Sequence, residues 1–151
     1  GAVSADISLP EGVTMRTEFV ESWSTLLLFA DNCAEVDLVA IASQEGVDCN
    51  FIALFDSRAA DFGANDLLWI AAANTDPNRD IALVGNTLTI DARAKVPGAE
   101  GNPARFPNVV TSTEDVIEAV DRRWAEYGIG EFIDSPSRKY RKLLLSDKAE
   151  W

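Results

Sequence analysis

Two short, uninterrupted apolar runs limit the architectures open to this chain: Ser24-Thr25-Leu26-Leu27-Leu28-Phe29-Ala30 and Phe51-Ile52-Ala53-Leu54-Phe55. Neither alternates with polar residues, as a strand with one wet face would, so each reads as a strand buried on both faces. Asp31-Asn32 stops the first run. Asn32, with Glu35 three residues on, has the form of a capping box and predicts a helix over residues 32–44, ended by Gly46. Asp56 closes the second run. A helix is expected over residues 64–74, with Leu67, Leu68, Trp69 and Ile70, and Pro77 lies where no helix can continue. A third strand is expected over residues 80–84 and a short one over 88–90. Residues 91–110, rich in proline and glycine, read as a surface loop. Thr111 with Glu114 then predicts a last helix, with Ile117, Val120, Trp124 and Tyr127 three and four apart and Gly128 and Gly130 at its end. The order is strand, helix, strand, helix, strand, loop, helix. That alternation predicts an α/β fold with a small mixed or parallel sheet and covering helices. The expected organisation is an N-terminal arm (residues 1–20), an α/β domain (21–134) and a basic amphipathic tail (135–151).

The 151 residues fit one domain, and the apolar share of 47% is ordinary for a globular protein. The formal charge of −12 argues against nucleic acid or an anionic membrane as partner, since both need basic patches. No apolar run reaches the roughly 18 residues of a membrane span. No basic segment precedes an apolar core at the N-terminus, so no signal peptide is expected, and the start on Gly1 points to trimming or processing. Cys33 and Cys49 form no CxxC pair and read as free thiols of a cytoplasmic protein.

The chain contains no histidine, which removes the commonest general acid–base and the commonest metal ligand. Asp31, Asp56, Asp61 and Asp66 lie near strand ends or helix starts, where α/β proteins place ligand sites. A Mg²⁺ site would need two or three of them to converge. Helix capping explains the same residues. Neither strand is followed at once by a glycine-rich turn, so a nucleotide-phosphate loop is not encoded. Asp76-Pro77-Asn78-Arg79-Asp80 reads as a helix stop, a turn and a strand start, with Arg79 able to pair with Asp76 or Asp80. Trp23, Trp69 and Trp124 are expected in the core. Trp151 ends a tail whose Arg138, Lys139, Arg141, Lys142 and Lys148 supply five of the thirteen basic residues. With Tyr140 and Leu143-Leu144-Leu145, that tail predicts a helix from about Ser137 that docks on another chain or on its own domain.

The second half holds a further ordering: Asp66-Leu67-Leu68-Trp69-Ile70-Ala71, Asp76-Pro77-Asn78-Arg79-Asp80, Ala82-Leu83-Val84, Asn86-Thr87, Ile90-Asp91-Ala92-Arg93-Ala94-Lys95, Pro97-Gly98, and then Val116-Ile117 through Asp121 to Trp124 and Tyr127. Over about residues 24–128 this resembles the C-terminal domain of UbiD-type aromatic-acid decarboxylases, with its DPxRD turn and GxDATxK segment. Two departures stand out. The glycine of the second motif is missing, and the long loop expected before it is replaced by Asn86-Thr87. The resemblance implies a family that makes or removes aromatic carboxylates using prenylated FMN and a divalent metal. It also implies that the cofactor and the catalytic residues belong to another, upstream domain. No catalytic, cofactor-binding or metal-binding residue is therefore assigned in this chain. The function implied is a small subunit of a hetero-oligomeric carboxylase or decarboxylase that supplies an oligomerisation domain to a UbiD-type catalytic large subunit. The alternatives are a non-enzymatic binding or regulatory module, or one domain of a single-chain decarboxylase.

Overall fold

A computed structural model describes residues 1–4 and 6–149. The chain forms two compact units, Gly1–Ala104 and Arg105–Trp151. The first contains β1 (Ala2–Val3), β2 (Thr14–Arg16), α1 (Val20–Trp23), β3 (Thr25–Ala30), α2 (Leu38–Ala42), β4 (Val47–Asp48) and β5 (Phe51–Asp56). A 3₁₀ turn, Ser57–Ala59, leads to α3 (Ala64–Asn74), α4 (Pro77–Asp80), β6 (Ile81–Val84) and β7 (Thr87–Asp91). The second unit holds α5 (Glu114–Arg122), α6 (Trp124–Tyr127), α7 (Ser137–Tyr140) and a 3₁₀ turn, Arg141–Leu143.

The main sheet has five strands in the order β2-β3-β5-β7-β6. Its centre, β3, β5 and β7, is parallel, and its outer strands β2 and β6 run antiparallel to their neighbours. The expected α/β fold with a mixed sheet is therefore what forms. The apolar runs become β3 and β5 because both faces of the sheet are covered. On one face Leu26, Leu28, Ala30, Ile52 and Leu54 share a core with Leu38 and Ile41 of α2. The alternate residues Leu27, Ala53 and Phe55 point to the other side, beside Leu67 of α3. Each large apolar side chain fully buried in this way stabilises the fold by about 1.5–3 kcal/mol.

Several local expectations are corrected. The helix after β3 does not start at Asn32. Asp37 caps it, its Oδ1 accepting from the Ala40 amide at 2.9 Å, so residues 32–36 form a loop. Asp80 does not open the third strand. Asp76 accepts from the Asn78 amide at 2.9 Å, Pro77 fills the first helical position, and one helical turn runs to Asp80 before β6 begins. A two-residue turn, Gly85-Asn86, joins β6 to β7, with Gly85 at φ +59°, where a side chain would be strained. The last helix starts after Thr113 rather than Thr111 and breaks at Arg123, and Gly128 at φ 61° ends it. Of the tryptophans expected in the core, Trp23 is 60% and Trp69 47% exposed. Trp124 is half-buried, edge-on to Phe132, and donates from Nε1 to the Gly130 and Glu131 carbonyls. Trp151 lies outside the described residues.

The arm contributes structure of its own: β1 pairs with β4, and β2 pairs with β3. In the second unit the Asn108 side chain holds the terminal segment. Its Nδ2 donates to the Ser146 carbonyl at 2.7 Å and to the Lys148 carbonyl at 2.9 Å, while its Oδ1 accepts from the Leu145 amide at 3.1 Å. A helical turn does begin at Ser137, as expected, but it ends after Tyr140. Arg138 pairs with Glu114, Asp121 and Asp134, so this tail arginine is engaged within its own unit. Among the described residues, no helix is long and apolar enough to cross a membrane.

Candidate functional site

The feature of the first unit that demands a physical account is a knot of charges at the carboxyl end of β7. It joins two segments that stand apart along the chain, Asp76-Pro77-Asn78-Arg79-Asp80 and Ile90-Asp91-Ala92-Arg93-Ala94-Lys95. Asp80 is buried at the end of α4, where its Oδ2 accepts from the Asp76 amide at 2.8 Å. Arg79 grips the same carboxylate with Nε and Nη2, both at 2.8 Å. Asp91 ends β7 and is gripped the same way by Arg93, at 3.1 and 2.7 Å. Lys95 is only 5% exposed. Its Nζ donates to the Asp91 carbonyl at 2.7 Å and the Arg93 carbonyl at 2.8 Å, and lies 3.4 Å from Asp80 and 3.5 Å from Asp91. The remaining donor of Arg93, Nη1, reaches the Asp31 and Ala34 carbonyls, each at 2.8 Å. One side chain on the far side of β7 therefore shapes the loop after β3.

Burial and pairing oppose each other here. Burial pushes the carboxyl groups of Asp80 and Asp91 up, but the hydrogen bonds from Arg79 and Arg93 and the charge of Lys95 outweigh it. Both stay below the usual carboxylate range. Burial pulls the Lys95 ammonium below its ordinary value, and Asp91 and Asp80 only partly restore it. A buried ammonium with two carbonyl acceptors and two carboxylates has its protons committed. That is the chemistry of a clamp, not of a free amine nucleophile.

The knot forms the floor of a cleft of about 740 Å³, walled by residues 32–39, the start of β6 and residues 94–96 and 99–102. Exposed Glu35, Asp37 and Glu100 stand among its walls. On the opposite face of the sheet lies a smaller groove of about 260 Å³, lined by Phe19, Trp23, Leu27, Phe51, Phe55, Leu67 and Leu68 among others.

The aspartates weighed from sequence do not converge. Asp31 accepts from the Cys33 amide at 2.8 Å. Asp56 caps the 3₁₀ turn through the Arg58 amide and is paired with the Arg58 guanidinium at 2.8 Å. Asp66 sits in the first turn of α3, and Asp61 precedes that helix. Among the described residues, no three Cys, Asp or Glu side chains are grouped so as to hold a metal ion. Cys33 is exposed and Cys49 buried, both free. What sequence reasoning missed is Lys95 and Arg93. The available signal was the +2 and +4 spacing of Arg93 and Lys95 from Asp91, which places three charges around one strand end.

No family model matches the sequence. An uncharacterized protein of Aeropyrum pernix is 28% identical over 82 aligned residues, covering 43% of this chain and 17% of that protein. Among solved structures, the fold is like a chain of Sedimentibacter hydroxybenzoicus vanillic acid decarboxylase (ShVdcCD) in open form, with truncated ShVdcD (V59X). The TM-score is 0.53 at 12% identity, over 82% of this chain and 30% of that one. A second open-form structure of the same enzyme gives a TM-score of 0.51 at 13% identity, over 79% and 29%. The likeness is one of fold, and this chain spans under a third of the decarboxylase chains it matches.

Proposed function

We propose that this chain is a non-catalytic component of a UbiD-type decarboxylase or carboxylase assembly, in which a separate flavin-bearing subunit performs the chemistry on an aromatic acid. The observation that carries this reading is the fold likeness to part of a two-component vanillic acid decarboxylase. The interlocking of the two segments on which the UbiD resemblance rests adds to it. The family's prenylated FMN and divalent metal do not fit the residues present. Asp56, Asp80 and Asp91 are already gripped by Arg58, Arg79, Arg93 and Lys95, and no glycine-rich turn follows β3 or β5 to receive a phosphate. The partner would hold both. This chain's contribution would be structural, presenting a pre-shaped cleft wall and an apolar groove to a larger subunit.

The test is purification from the native source through an antibody against this chain, with no tag on the partner. A co-eluting flavoprotein much heavier than this 16.4 kDa chain supports the reading. Recovery without one, or stoichiometric flavin retained by this chain alone after desalting, overturns it. The low share of the matched chains that is covered favours a second reading, in which the same fold is one domain of a single longer decarboxylase. A denaturing gel of the native extract separates the two, because that reading requires the antibody to detect a far larger polypeptide.

A further inference from the structure

We draw no further inference here: the strongest candidate, the apolar groove between α3 and the main sheet lined by Phe19, Trp23, Phe51 and Leu68, stands open on the first unit, and nothing in the structure shows what covers it.

Discussion

Each unit of this protein gathers arginine against acidic side chains, and the two clusters are different physical objects. In the first, Asp80, Arg93 and Lys95 are buried, and each polar atom has a partner chosen by geometry. In the second, Arg138 lies among Glu114, Asp121 and Asp134 in contact with water. Removing one member of a buried set leaves an uncompensated charge in a poor dielectric, whereas a solvated set loses little and is screened by salt. The number of ion pairs says nothing about which cluster matters. Their depth does.

The largest expected break is at the knot. Lys95→Ala leaves Asp91 and Asp80 short of a positive neighbour and two carbonyls without a donor. It should cost about 3–5 kcal/mol in urea unfolding at neutral pH. Lys95→Met keeps the volume without the charge and tests whether packing alone explains the loss. A cost under about 1 kcal/mol for Lys95→Ala would show that the knot is no more valuable than a surface pair.

Acid should expose the same difference more gently. Because the folded state holds Asp80 and Asp91 below the ordinary carboxylate value, their contribution is complete above about pH 4 and is lost as pH falls through the lowered folded values. Lys95 tilts stability the same way with pH, but in the alkaline range. Its lowered folded value makes carrying the proton costly, and that cost is relieved only as pH rises through it towards the ordinary lysine range. The melting temperature of the native chain should therefore fall steeply below about pH 4. Asp91→Asn should lower the plateau and flatten that limb, and an unchanged acid limb would remove the knot from the account.

The smallest effect belongs to Arg138→Ala. The melt should shift slightly at low ionic strength and by nothing measurable in concentrated salt, since exposed pairs are screened within about 10 Å or less. A salt-independent loss comparable to that of Lys95→Ala would erase the distinction between the clusters.

The parts of the fold that were legible in sequence are those settled by local or periodic chemistry. β3 and β5 stand out because burial on both faces requires continuous apolar runs, and α3 because Pro77 follows it. The start of α2 was misread because Asn32 and Asp37 are both competent caps. The choice between them follows from Arg93, which holds the Asp31 and Ala34 carbonyls from across the sheet. Trp23 and Trp69 were read as core on hydrophobicity alone. Trp23 instead lines the open apolar groove, stacked on Phe19 at 5.0 Å, and Trp69 stands 47% exposed on α3. The pairing of Arg79 with Asp80 was legible in the knot, but the meeting of its two segments was not, since they meet only once β6 has folded back on β7.

The clamp that Arg93 places on the loop after β3 spans 62 residues of sequence to Asp31. Such a bond cannot form until β3, β5 and β7 lie side by side, so it belongs late on the folding route, after the entropy of closing that long loop has been spent. Interactions absent from the transition state leave the refolding rate alone and slow unfolding. The knot is thus a latch on the finished fold rather than a guide towards it. A chain lacking it should refold as fast as before, yet open more often, giving proteases and competing partners more chances to seize it.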